Sequence, residues 1–144
     1  MATAQDYIFV LWGDHFEEAV ATIFVTELRK AGLRVKVVGL SQRRTRGAHG
    51  LSLVPDLTLE EALPLANRTA CLIIPCPATG LNRLASDPRL ADFLHQAQAN
   101  QATIVVGNGP IQSDLLPMIP TQVTRYPGQE DLVAFAREVA HQFK

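Results

Sequence analysis

The chain is poor in residues that build covalent or metallic frameworks: it holds two cysteines, two methionines and one tryptophan among 144 residues. Cys71 and Cys76 share the extended stretch from Ala70 to Cys76, which sets them about 16 Å apart at ~3.3 Å per residue, whereas a disulfide needs Cα atoms within ~7 Å. No bridge between them is expected. Their spacing fits no common zinc pattern, and the four histidines are scattered at positions 15, 49, 95 and 141, so no metal site and no other cofactor is expected. No apolar run approaches the ~18–20 residues needed to span a bilayer, and Met1 to Asp6 lacks a basic region followed by an apolar one. A cytoplasmic protein is expected. Thirteen basic against fourteen acidic residues leave a net charge of −1, which supplies no global field for nucleic acid or for an anionic membrane surface.

What is present reads as one domain over residues 1–144, long enough to bury roughly 68–70% of its unfolded surface. Apolar runs and amphipathic segments alternate. Tyr7 to Trp12 is a strand ending at Gly13. Asp14 then stands three residues before Glu17 in the spacing of a capping box, which predicts a helix starting near His15 or Phe16. Phe16, Val20, Ile23, Phe24 and Leu28 share its apolar face, and Gly32 stops it. Arg34 to Leu40 alternates as a second strand. A polar basic loop follows, from Ser41 to Gly50 with Arg43, Arg44 and Arg46, before a short strand expected at Leu51 to Val54.

The second half repeats the pattern. Leu57 to Leu65 is a short helical candidate, Ala70 to Ile74 a buried strand, and Asp87-Pro88 opens a helix with Leu90, Phe93, Leu94 and Ala97 on one face. Thr103 to Val106 is an apolar β-branched run broken at Gly107-Asn108-Gly109, with Pro110 suited to the first position of a helix over 111–120. Thr121 to Thr124 reads as a short last strand, and Gly128 leads into a final helix carrying Leu132, Phe135, Ala136, Val139 and Phe143. Continuous apolar strands separated by amphipathic helices predict a three-layer α/β sandwich around a mainly parallel sheet. The elbow strand is expected near the sheet's centre, and Phe9, Val37, Ile73 and Val105 in the core.

Ligands of such folds bind outside the carboxyl ends of the strands. The loops leaving that edge carry Trp12, Asp14 and His15; Pro75, Cys76 and Pro77; Gly107 and Asn108; and Arg125, Tyr126 and Pro127. The ligand-binding candidates are Asp14, His15, Cys76, Gly107, Asn108 and Arg125. A strand-turn-helix elbow is where α/β enzymes raise a Ser or Cys nucleophile, and here it holds only Gly and Asn. Cys76, with His15 as its base, is the alternative catalytic pair. Against it, an unassisted thiol of pKa ~8.5 is only about 3% ionised at pH 7, and Pro77 has no amide hydrogen to offer a thiolate or oxyanion. Cys71 reads as a small core residue, Glu17 and Glu18 as surface charges complementing the helix dipole, and Trp12 as packing or as an indole at the crevice mouth.

In order along the chain, Phe16-Glu17-Glu18-Ala19, Leu28 to Gly32, Val35 to Leu40, Pro55 to Ala62, Leu72 to Gly80 and Gly109-Pro110 resemble the ThiJ/PfpI superfamily of deglycase-like proteins, themselves related to the class I glutamine amidotransferases. The resemblance implies a flavodoxin-like sandwich and a homodimer. It also implies a hydrolase, glyoxalase or related chemistry run by an elbow Cys, a Glu of the first helix and often a His. Aligned on Gly109-Pro110, the elbow Cys position falls on Gly107 and its acidic partner on Val20. The family's Pro-Gly-Gly loop reads Pro75-Cys76-Pro77, and the stretch that usually delivers the His is shorter. The leading expectation is a catalytically degenerate domain that binds a small ligand or a protein partner in the strand-end crevice. A thiol-dependent enzyme or oxidation sensor built on Cys76 and His15 is the alternative, and a stress-related scaffold with an empty crevice is the third.

Overall fold

A computed structural model describes residues 6–41, 45–77, 80, 87–109 and 123–144. Its chain order is β1 (Tyr7–Trp12), α1 (Glu18–Lys30), β2 (Val35–Gly39), β3 (Leu57–Thr58), α2 (Leu59–Ala62), a 3₁₀ helix (Leu63–Arg68), β4 (Thr69–Ile74), α3 (Pro88–Ala99), β5 (Thr103–Val106), β6 (Thr124–Arg125), a 3₁₀ turn (Gln129–Asp131) and α4 (Leu132–Gln142). Strands lie in the order β3-β2-β1-β4-β5-β6, and every pairing among them is parallel. This is the flavodoxin-like α/β arrangement expected. Parallel strands must be bridged by crossovers, which cover both sheet faces, so β1 and β4 are apolar and buried almost without alternation.

On one face α1 packs with α4, through Phe24 and Phe135 edge to face at 6.0 Å and an Arg137–Glu27 ion pair. Towards α3 the core is centred on Phe9, edge to face with Phe93 at 5.4 Å. Phe9, Val37, Ile73 and Val105 are all buried. Among the described residues, no helix is long and apolar enough to cross a membrane.

Several boundaries differ from the sequence pattern for local physical reasons. Helix α1 starts at Glu18 rather than near His15, and its cap, Glu17, makes no side-chain capping bond. The chain first turns tightly, with the Phe16 amide donating to the Gly13 carbonyl at 3.2 Å and His15 in the left-handed region at φ 67°. Asp14 is therefore not the helix cap; its Oδ1 accepts from the Arg46 amide at 3.3 Å. Leu51 to Val54 adds no strand to the sheet, because Ser52 pairs only with Arg46 in an isolated antiparallel bridge. Leu57 and Thr58 form a strand before Thr58 caps α2 in a capping box with Glu61. The elbow strand β5 lies one strand in from the edge, since β6 pairs with it through only two residues, and the centre belongs to β1 and β4. The last strand forms at Thr124–Arg125 rather than 121–124; Thr121 and Gln122 lie outside the described residues, as do Arg43, Arg44, Pro110 and the helix expected over 111–120.

Candidate functional site

The direction of strand order reverses between β1 and β4: β2 follows on one side and β5 on the other. Such a switch point parts the loops above the sheet and opens a crevice at the strands' carboxyl ends. Here the loops are tied together below that opening. The Glu17 amide donates to the Pro75 carbonyl at 2.7 Å, and the Gly107 amide donates to the Cys76 carbonyl at 2.9 Å. Above them lies a cavity of about 530 Å³, lined among the described residues by Glu17 at the cap of α1 and the first turn as far as Val20, His49 and Leu51, Pro77, Gly107 and Asn108, Tyr126 to Gln129, and Leu132. That volume is in the range of small-molecule sites.

Gly107 is the floor. A Cβ there would stand 2.7 Å from the Tyr126 hydroxyl, 2.8 Å from the Cys76 carbonyl oxygen and 3.0 Å from Pro77 Cα. Position 107 has no room for a side chain unless these neighbours move. Its amide is also committed to Cys76, so it offers no free donor for developing negative charge. Over it, the buried Tyr126 hydroxyl donates to Glu17 Oε2, and the ring meets Phe24 edge to face at 6.5 Å. Burial, reinforced by the Glu17 carboxylate, pushes the Tyr126 phenol far above its ordinary range, keeping it a neutral donor.

Glu18 faces the other way. It is only 8% exposed and accepts from the His49 amide at 2.7 Å, the Leu51 amide at 3.1 Å and His49 Nδ1 at 3.3 Å. Burial alone would raise its carboxyl. These donors, with its own backbone amide, outweigh burial and bring it down to about 2. Gly47 completes the seat, because a Cβ there would lie 2.4 Å from the Glu18 carboxyl carbon. Glu18 thus holds the loop that forms one wall of the crevice. The reading of Glu17 and Glu18 as plain surface charges is corrected: one anchors Tyr126, the other anchors the 45–51 loop.

Of the candidates read from sequence, Gly107 and Asn108 line the cavity, and Asn108 is exposed there. Asp14 and His15 are exposed on the neighbouring turn, bonded through Asp14 Oδ1 and the His15 amide to Arg46, and neither is among the described lining residues. Cys76 is not an exposed loop thiol. It is 2% exposed, because its amide turns back to the Ile74 carbonyl at 2.8 Å and folds the loop over it. Cys71 is fully buried in β4, and burial pushes its thiol up to about 12. Neither cysteine is in a disulfide. Arg125 is spent on the elbow's backbone, donating to the Gly107 and Gly109 carbonyls at 2.8 Å each. Trp12 is wholly buried, and its Nε1 has no hydrogen-bond partner among the described residues. His49 and Gln129 line the cavity without having been singled out from the sequence, while Tyr126, placed on the strand-end edge, and Glu17, read as a helix-dipole charge, were not among the ligand-binding candidates. Among the described residues no group of three or more His, Cys, Asp or Glu is placed to hold a metal ion.

A model of the DJ-1/PfpI family matches residues 6–139. No curated protein sequence matches. Solved structures with the same fold include a mutant of a DJ-1 superfamily protein from Salmonella typhimurium, at 19% identity over 95% of this chain and 89% of that one with a TM-score of 0.74. DJ-1beta from Drosophila melanogaster matches at 16% identity over 99% and 91%, with a TM-score of 0.73. Oxidized DJ-1 from Toxoplasma gondii matches at 16% over 96% and 95%, with a TM-score of 0.69.

Proposed function

The chain belongs to the DJ-1/PfpI family, and from that premise we propose that it is a member that binds a small ligand or a partner's side chain in the strand-end crevice without carrying out nucleophilic catalysis there. The observation that carries this reading is the packing around Gly107. The position where the family resemblance calls for a nucleophile is filled from outside by the Tyr126 hydroxyl, the Cys76 carbonyl and Pro77. A side chain cannot be restored there without moving backbone, so the elbow is built for a glycine. The acidic partner position is Val20, another apolar lining residue. The crevice itself is retained, with a roughly ligand-sized volume and hydrogen-bonding groups on Glu17, Asn108, Tyr126 and Gln129.

The alternative, a thiol enzyme or oxidation sensor using Cys76 with His15, has less support. Cys76 is buried under its own loop, and His15 sits on an exposed turn outside the described lining. Titrating small organic fragments into isotope-labelled protein tests the binding reading. Amide shifts should concentrate at Gly107, Asn108 and Gln129, and fragments that shift only residues far from the crevice would contradict it.

A further inference from the structure

The carboxylates that line the crevice bear on the class of ligand. Two carboxylates, Glu17 and Glu18, stand among its described lining residues, with no Lys or Arg; the one basic side chain, His49, is 90% exposed and turned to Glu18. The N-termini of α1 and α4 also reach the cavity, through Glu18 and Leu132, and each contributes about half a positive charge. Arg125, bonded to the Gly107 carbonyl at the cavity floor, adds a full positive charge beside them, so the choice of ligand turns on which carboxylate is left open rather than on a net field.

The two carboxylates are not equivalent. Glu18 is occupied by the His49 and Leu51 amides and by the His49 ring. Glu17 gives one oxygen to the Tyr126 hydroxyl, and its other oxygen has no hydrogen-bond partner among the described residues. The Tyr126 bond orients that carboxylate on the crevice wall, while Val20, Leu51, Pro77, Pro127 and Leu132 supply apolar surface around it.

We propose that the crevice takes a small organic monocation, an apolar body with an amine or guanidinium head seated against Glu17. The proposal rests on the binding reading above and gives it a chemistry. An ammonium donates to the open Glu17 oxygen and neutralises that carboxylate. An alcohol can make the hydrogen bond but leaves the charge, and a carboxylate adds to it.

Three probes with one body and different heads separate these cases: phenethylamine, 2-phenylethanol and 3-phenylpropionate, titrated near pH 7 into ¹⁵N-labelled protein. All should shift the Gly107, Asn108 and Gln129 amides if they enter. The amine is expected to bind about fivefold more tightly than the alcohol, the gain of one partly exposed ion pair, and the carboxylate most weakly. Glu17→Gln should bring the amine-to-alcohol ratio to about one. Tyr126→Phe, which keeps the Glu17 carboxylate, should keep the amine preference. Equal binding of amine and alcohol, tighter binding of the carboxylate, or an amine preference that survives Glu17→Gln would overturn the cation assignment while leaving a binding crevice. No crevice shift from any probe at millimolar concentration would overturn both.

Discussion

Gly107→Ala would place a methyl group 2.7 Å from the Tyr126 hydroxyl oxygen, 2.8 Å from the Cys76 carbonyl oxygen and 3.0 Å from Pro77 Cα. Carbon and oxygen settle at about 3.3 Å or more even in their closest favourable contacts, so each oxygen contact overlaps by about half an ångström. The tyrosine can swing away only by giving up its bond to Glu17. The other two obstacles are backbone, clamped by the 2.9 Å bond from the Gly107 amide to the Cys76 carbonyl. Overpacking of this kind costs ~1–3 kcal/mol, and with two backbone neighbours the upper half of that range, about 2–3 kcal/mol, is expected. In urea unfolding followed by circular dichroism, the midpoint should fall by roughly 1 M with an unchanged slope. Introducing the same change into Tyr126→Phe removes one obstacle in advance, so its cost there should drop by about 1 kcal/mol. A loss below about 0.5 kcal/mol in the native background, or an identical loss in both backgrounds, would refute the steric account of the elbow.

Three further outcomes follow from the packing and charges. Ile73→Ala, in the central strand β4 and fully buried, should cost ~2–5 kcal/mol in the same assay, and a loss under about 1 kcal/mol would be incompatible with its position. Iodoacetamide should label neither Cys71 nor Cys76 appreciably in native protein and both after denaturation; rapid native labelling of Cys76 would contradict its burial. Glu18 is held down from 4.5 to about 2 in the fold, so its contribution to stability is full above about pH 4.5 and drains as pH falls toward about 2. Thermal melts through that window should show a flatter pH slope for Glu18→Gln than for the native chain, and an unchanged slope would remove Glu18 from the account.

The fold was readable because its signals are local and repeated. Tyr7–Trp12 and Ala70–Ile74 are continuous apolar runs of strand length, the second extended by Thr69 in the fold, Asp87 does cap the helix it precedes through a bond to the Arg89 amide, and the β5 strand has the bounds its β-branched run predicts. The errors arose where a partner distant in sequence decides the geometry. Asp14 and Glu17 have capping-box spacing, yet Arg46 claims Asp14 and Tyr126, 109 residues away, claims Glu17. Glu18 looked like a surface charge until Gly47, His49 and Leu51 closed around it. The site was half legible for the same reason. The strand-end rule found Gly107 and Asn108 from one elbow, but no local pattern announces that Cys76 turns inward or that Arg125 is consumed by two carbonyls.

The central claim is that the crevice binds without a working nucleophile. Purified protein assayed for glyoxalase, deglycase and peptidase turnover, beside its Cys76→Ser and His15→Ala variants, tests this most directly. Loss of a nucleophile leaves at most ~10³–10⁴-fold of residual catalysis, and the elbow amide that would assist it is bonded to Cys76. The predicted result is no turnover above a buffer control, with any trace rate the same in all three proteins. Robust turnover abolished by Cys76→Ser or by His15→Ala would contradict the account and make that pair the working site.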